Sequence, residues 1–563
     1  MIKQTTINGV LTLLMIIIVI IPAQAFSQPG TITVSVDATK PGNPLRHVWQ
    51  FYGYDECNYT TTPDCIDLMK TVARINPEPV YLRQHFLLNS GDGTASLKWG
   101  STNVYTENTA GEPVYYWPIM DGIFDAVTSS GCRPLVEIGL MPKDLSVRPE
   151  PYRPPQPFGP NEGMGVFFPP KDYEKWAELI RQWTRHSKER YKNVEQSWLW
   201  ELWNEPDIFY FQGSYEDYLK LFRYTEQALH EVMPKAQLGG PHAADARGSF
   251  LRNFLRDCAE AKNPLTGEIG TRLDYVGFHA KGGVVFRNGH VVMSMRGQLS
   301  RHLSGFSAVA AVPKFKNTPI IIGEADPDGA AAMPASKSPE RGYRNVPAYG
   351  SYVAAMMKYS LDLAEREGVN LKGVLSWAFM FDGQPYFEGY RTLATNGIHK
   401  PVLNAFKMLG QMKGNQLPLT SDGAIGADEI LKLGVRERPD INGMAITDGQ
   451  AVKILLWNYH DILAPAEPAP IELKVQLPAD FGNTAQLIHY RIDDTHSNAY
   501  TKWLELGSPQ NPTPEMIAQL KEAMQLQMLE PAKSVDITDN QVTLNFELPR
   551  SALSLIIFQK PNA

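Results

Sequence analysis

Short apolar runs alternate with amphipathic stretches over the first two-thirds of the chain. Runs at 48–53, 80–83, 135–139, 198–203, 237–240, 275–279, 320–323 and 374–377 predict eight strands. Between them the period is helical. Trp176, Leu179, Ile180 and Trp183 follow i, i+3, i+4, i+7, and Leu221, Phe222, Thr225, Leu229 and Val232 continue such a face on the next helix. Strands alternating with helices predict an α/β fold, a (β/α)8 TIM barrel over 47–412. A doubly wound open sheet is the competing architecture. It would place a glycine-rich phosphate turn after its first strand, and the chain has no G-x-G-x-x-G, P-loop, G-x-S-x-G or H-E-x-x-H.

From about residue 413 the period changes to two. Segments 431–435, 452–458, 471–475, 485–491, 542–546 and 553–559 read as strands, so 413–563 is expected to form a C-terminal antiparallel β-sandwich, interrupted by a helix at 514–528. The alternation at 31–37 has the same character, and 26–46 is expected to add a strand to that sandwich. Residues 141–170, rich in Pro and Gly, follow the third barrel strand and would form a lid or wall over its mouth.

Composition narrows the class. At 563 residues the chain exceeds one ordinary core, and 43% hydrophobic with 10% aromatic residues is the make-up of folded domains. A formal net charge of −7 lacks the basic footprint of a nucleic-acid binder. Lys3, an apolar run at 10–21 and Ala23-Gln24-Ala25 read as an export leader (1–25) cleaved after Ala25, leaving a periplasmic or secreted protein with no membrane span. Of the four cysteines, Cys57 and Cys65 are the nearest pair for a disulfide that export would permit; the alternative is four buried thiols.

Two of the apolar runs end in glutamate. Trp198-Leu199-Trp200-Glu201-Leu202-Trp203-Asn204-Glu205-Pro206 delivers Glu205 at the end of the fourth strand, and Pro319-Ile320-Ile321-Ile322-Gly323-Glu324 delivers Glu324 at the end of the seventh. Two carboxyl groups facing each other across a barrel mouth are what retaining glycoside hydrolysis needs, Glu205 as acid/base and Glu324 as nucleophile. Burial and a negative neighbour such as Glu324 would raise the Glu205 pKa into a working range. Asn204 can donate to a sugar hydroxyl. Trp377, at the end of the eighth strand, can floor a sugar ring, with Phe381 and Tyr386 walling the next subsite. This chemistry needs no cofactor, and the spacing of His, Cys, Asp and Glu shows no metal-ligand motif.

These motifs, in this order, resemble glycoside hydrolase family 39, whose members include β-xylosidases and α-L-iduronidases. Asn204-Glu205-Pro206 resembles the family's acid/base turn, and Glu324 its nucleophile. Arg83-Gln84-His85 resembles the second-strand Arg-x-His, the Val136–Pro142 run the third-strand motif, and Gly239-Gly240-Pro241 the fifth-strand end. His489-Tyr490-Arg491-Ile492-Asp493, His496–Tyr500 and Gly507-Ser508-Pro509 resemble the sandwich segments. The resemblance implies sugar contacts by His85 and His279. It also exposes departures. His279-Ala280-Lys281 stands where many relatives read His-x-Tyr; Lys281 there can hold the nucleophile ionised, bind an anionic sugar group, or point to solvent. Phe86 replaces a glycine and would narrow the subsite, and Asp326 differs from the aromatic or amide residue expected. The implied function is a retaining exo-glycosidase of oligosaccharides, with a terminal β-xyloside as the first expectation. An acidic or sulfated sugar, or a barrel that binds carbohydrate without cleaving it, are the alternatives.

Overall fold

The computed structural model describes residues 30–153, 163–377 and 379–561. The leader expected at 1–25 and the middle of the 141–170 loop lie outside these residues. Eight parallel strands form a closed barrel: β1 (Phe51–Tyr54), β2 (Tyr81–Gln84), β3 (Arg133–Ile138), β4 (Leu199–Leu202), β5 (Gln237–Ala243), β6 (Tyr275–His279), β7 (Ile320–Glu324) and β8 (Leu371–Ser376). They pair in chain order, and β8 closes on β1 with Leu375 and Ser376 in register with Phe51 and Tyr52. Every one of the eight expected runs overlaps one of these strands.

The helices between them form for local reasons. Tyr173–Arg190 starts at Asp172, whose carboxylate accepts from the N–H groups of Glu174 and Lys175, and it buries the expected Trp176, Leu179, Ile180 and Trp183. Tyr215–Val232 begins with a reciprocal capping box between Ser214 and Asp217.

Inside the barrel, side chains stack in layers of period two. The lower layer is apolar: Phe51, Tyr81, Leu135, Leu199, Tyr275, Ile321 and Leu375 cluster together. On β5 the place belongs to Gly239, where a β-carbon would collide with the Tyr275 ring. Two residues further along each strand the layer changes character, to Gly53, Arg83, Glu137, Glu201, Gly277, Gly323 and Trp377. The glycines make room: a β-carbon on Gly53 would strike the Trp377 ring, and one on Gly277 or Gly323 would strike the imidazole of His242. This polar layer is the platform of the site.

The C-terminal region is a sandwich of two sheets. Ile32–Asp37 runs parallel to Ala469–Gln476 and antiparallel to Leu419–Ser421, and Gln541–Leu548 completes that sheet. The larger sheet contains Asp440–Thr447, Ala451–Tyr459, Leu553–Gln559 and Thr484–Ile492. Val34, Val36, Leu473 and Val475 meet Ile454, Leu456, Ile556 and Phe558 between them.

Two local readings fail. Of the strand expected at 431–435, residues 431–433 belong to the helix Ala427–Leu433, with Asp428 and Glu429 in its first turn, Lys432 in its last and Gly434 ending it at φ 76°; these charges complement the helix dipole. The strand Asp440–Thr447 goes unread because Asp440, Asn442 and Gly443 break its alternation. In the fold Asp440 is buried and accepts from Tyr359 Oη at 3.0 Å, Trp457 Nε1 at 2.9 Å and the Ile425 amide at 2.8 Å. All four cysteines are buried free thiols. No helix among the described residues is long and apolar enough to cross a membrane.

The sandwich also reaches the mouth of the barrel. Beyond β6 the chain makes a hairpin (Val285–Arg287 with His290–Val292), and Ile462–Leu463 of the sandwich adds a third strand to it. The Met293 amide donates to the Asp461 carbonyl at 2.7 Å, and the Met295 amide to its carboxylate at 3.2 Å. The segment leaving β6 is thereby tied down.

Candidate active site

Arg83 on β2 is the hub. Its guanidinium is fully buried, bonds Glu201 of β4 through Nε, and lies 2.9 Å from Glu137 of β3 and 3.1 Å from Glu324 of β7. It also donates to Asn204 Oδ1 at 3.1 Å. Glu201 continues to His242 Nε2 at 2.8 Å. Burial drives the Glu137 carboxyl well above its ordinary range despite Arg83. For Glu201 burial pushes the same way, but Arg83 and His242 together hold it below its ordinary value.

Glu205 and Glu324 are brought together at the C-terminal ends of β4 and β7. Glu205 has φ 44°, a left-handed turn that aims its side chain back over the mouth, and its amide donates to the His242 carbonyl at 3.1 Å. An irregularity in the pairing of β7 with β6, between Ile322 and Glu324, sets Glu324 opposite His279. Both glutamates are buried, as is His279.

Lys281 ties them. Its Nζ lies 2.5 Å from Glu205 Oε1 and 2.7 Å from Glu324 Oε2. His279 Nδ1 is 2.9 Å from the same Glu205 oxygen and 3.6 Å from Glu324 Oε1. The expected upward push of Glu324 on the Glu205 pKa is present but outweighed, so the net direction is opposite to the one expected. Burial and Glu324 do push it up, but the Lys281 ammonium and the His279 hydrogen bond bring it down to about 2. Glu324 is also held well below its ordinary value, Lys281, His279, His85 and Arg83 outweighing burial. Burial lowers His279 to about 4, so the ring is neutral and Nδ1 must carry the proton it donates. Burial opposes the charge on Lys281, yet the two carboxylates raise its pKa.

The other expected residues fall around this centre. His85 Nε2 is 3.5 Å from Glu324 and 3.3 Å from Glu137, and its ring lies 4.2 Å from that of Trp377. Trp377 also sits 5.0 Å over the Arg83 guanidinium. The Trp377 amide donates to both oxygens of Asp326, at 3.1 and 3.0 Å. Burial, with Glu324 nearby, raises Asp326 to about 6 even though Arg391 opposes it. Phe86 packs edge-on against His85 and beside Trp99. Phe381 packs edge-on against Tyr59 and Tyr390. The Tyr386 backbone bonds Gln510, and Tyr386 packs with the Phe387–Trp503 cluster.

A cavity of about 570 Å3 opens on Glu205 and Lys281, with Lys98, Tyr210, Asp245 and Arg301 also on its wall. Lys98 is paired with the buried Asp55 at 2.5 Å. Glu137, Glu201, His242, Asp55 and Lys98 were not singled out in the sequence. The signal that would have found the first two is the inward step of two from Leu135 and Leu199. Oxygen and nitrogen atoms of Glu205, His279 and Glu324 lie within 4.8 Å of one another, a spacing that suits a cation. The Lys281 ammonium supplies a positive charge at that place itself.

A parallel eight-stranded barrel that joins two strand-end carboxylates above a buried arginine has the layout of a glycoside hydrolase. The model of the glycosyl hydrolases family 39 matches residues 32–538, and the chain belongs to that family. It is 25% identical to a β-xylosidase of Caldicellulosiruptor saccharolyticus, over 78% of this chain and 82% of the relative. To an α-L-iduronidase of Mus musculus it is 23% identical, over 87% and 75%. The crystal structure of a family 39 enzyme from Xanthomonas axonopodis pv. citri shares the fold with a TM-score of 0.72 at 20% identity, covering 95% of this chain and 98% of that one.

Proposed function

We propose that this protein is a retaining exo-glycosidase that removes a terminal sugar bearing an anionic group, a uronic acid in the first instance. Glu324 attacks the anomeric carbon while Glu205 gives a proton to the glycosidic oxygen, and the C–O bond breaks. Water then attacks the glycosyl-enzyme, and Glu205 takes its proton. Retention is supported by the separation of the carboxyl groups. One oxygen of each lies within 4.8 Å of one of the other, and both groups reach the same Lys281 Nζ, a close approach that suits the ~5–5.5 Å spacing of retaining enzymes better than the ~6.5–9.5 Å that leaves room for water in inverting ones. Arg83, 3.1 Å from Glu324, supports an ionised nucleophile.

The single observation that carries the anionic substrate is the position of Lys281, inside the cavity and not in solvent, between the two carboxylates. A β-xyloside is a β-glucuronide without its C5 carboxylate, so one barrel mouth accommodates either ring. A cation beside the ring favours the charged one. The neutral β-xyloside is the second reading, favoured by the similarity to a β-xylosidase. Export after cleavage behind Ala25 belongs to the same proposal, and N-terminal sequencing of the mature protein tests it.

Aryl glycosides decide between the readings, with Glu324→Ala as the blank. A higher kcat/KM on a β-glucuronide or α-iduronide than on a β-xyloside supports the first. Preference for the xyloside by tenfold or more supports the second. Binding of oligosaccharides with no turnover of any glycoside would leave a carbohydrate-binding barrel.

A further inference from the structure

The two glutamates do not share their countercharges equally. Among the described residues, the ion-pair partners of Glu205 are Lys281 and the neutral His279. Glu324 has the same two and, from β2, Arg83 at 3.1 Å and His85 at 3.5 Å. The other charged or titratable groups near Glu205 are Asp207 and Tyr210, which feel its charge, and Lys98, Asp245 and Arg301, which share its cavity wall; Lys98 is paired with Asp55, and Arg301 lies 3.7 Å from Asp245. If the Lys281 ammonium leaves, Glu324 keeps the guanidinium of Arg83. Glu205 keeps the His279 imidazole and the repulsion of a nearby carboxylate, and it loses the ammonium that held its carboxyl down, which shifts it toward its protonated form.

We propose that Lys281 is an interlock released by the substrate: an anionic group on the bound sugar draws the ammonium off Glu205, which then takes up the proton it needs to act as an acid. This rests on the acid/base reading of Glu205 given above. In the release, the N–H···O bond from Lys281 to Glu205 breaks and one to the sugar's carboxylate forms. The proton on Glu205 comes from bulk water. That uptake forms an O–H bond on Glu205 as one breaks on the solvent donor, and no bond of the sugar changes until the proton passes to the glycosidic oxygen.

The surroundings suit movement of the side chain alone. The backbone on either side of Lys281 is fixed, with the Ala280 amide donating to the Glu324 carbonyl and the Gly282 amide to the Asp326 carbonyl, both at 2.8 Å. Beyond it the hairpin is tied to the sandwich. The stem itself lies against Gly329, where a β-carbon would stand 3.4 Å from Lys281 Cδ, so no side chain fences it on that side. An anionic sugar thus contributes to the chemical step and not to binding alone, and a neutral sugar meets an acid locked as its conjugate base.

The test is the pH dependence of wild type, Lys281→Met and Lys281→Arg on aryl glycosides with poor leaving groups. The basic limb of kcat/KM reports Glu205 in the free enzyme, and that of kcat reports it in the complex. In wild type the kcat limb with a uronide should lie above the kcat/KM limb. Lys281→Met should raise the kcat/KM limb by about one to three pH units, lose uronide turnover, and gain several-fold on the xyloside at pH 7. Lys281→Arg should keep the wild-type limb, which separates the charge from mere packing. An unmoved limb in Lys281→Met, with equal loss on both substrates, overturns the interlock. A moved limb in an enzyme that never turns over a uronide overturns release by substrate while Glu205 stands as the acid. Full activity of Glu205→Gln on an unactivated glycoside overturns the acid/base reading itself.

Discussion

Stripping the positive charge from the barrel floor is the most telling single change. Arg83→Met keeps the length and apolar stem of the side chain but removes the guanidinium from Glu137, Glu201 and Glu324, whose side chains are at most 5% exposed. Glu324 retains Lys281, and burial already drives Glu137 toward its neutral form. Glu201 is the group stranded, left with His242 at 2.8 Å. Forcing one carboxyl neutral at pH 7, from an ordinary pKa of ~4.3, costs about 3.7 kcal/mol at 1.36 kcal/mol per pH unit. That agrees with the ~3–5 kcal/mol lost when one partner of a buried ion pair is deleted. The variant should therefore be about 4 kcal/mol less stable at pH 7, measured by urea unfolding through the tryptophan fluorescence of the barrel. The sign of its pH dependence follows from linkage. In the variant the folded-state pKa of Glu201 lies above its unfolded value, so the penalty is absent below the unfolded pKa and grows as pH rises. In wild type Glu201 is held below its unfolded value, so its stabilisation persists above that value and is lost only as pH falls through the lower, folded one. The deficit should thus shrink by about 2.7 kcal/mol between pH 7 and pH 5. A deficit under ~1 kcal/mol, or one equal at both pH values, would refute the reading of Arg83 as the countercharge of the floor.

Two further outcomes follow from the geometry. Gly53→Val places side-chain atoms where the Trp377 ring lies; the displaced ring should cost ~1–3 kcal/mol in stability and raise KM more than it lowers kcat, which steady-state kinetics and a melting curve would show. Glu205→Gln should lose ~10²–10⁴-fold on glycosides with poor leaving groups and much less on dinitrophenyl glycosides, which leave without a proton; an equal loss on both would assign Glu205 some role other than the acid.

The barrel was legible because its strands are short apolar runs buried on both faces, a signal that survives in one sequence. The sandwich was less so. Asp440, Asn442 and Gly443 look like a loop until Tyr359 and Trp457 arrive from distant parts of the chain to bond Asp440. Glu205 and Glu324 stood out because each ends a run, whereas Glu137 and Glu201 sit inside theirs and read as interruptions. Stepping inward by two from Leu135 and Leu199 places both on the layer of Arg83, so the hub follows from period once the barrel is assumed.

The direction in which Lys281 points is of another kind. It depends on the closed register that sets β4 and β7 across the mouth, and on the irregularity in β7 that brings Glu324 level with His279. No local pattern encodes either. A lysine two residues past a strand end is equally compatible with solvent, with a substrate or with the acid beside it, and these alternatives predict opposite protonation states for Glu205. The fold bears on them by giving Glu324 a second ion-paired cation in Arg83, whereas among the described residues the cation paired with Glu205 is Lys281. The pair of glutamates, read from the chain as an acid and a nucleophile, shares one lysine in the fold, and the interlock proposed above makes them such a pair when that lysine is drawn away.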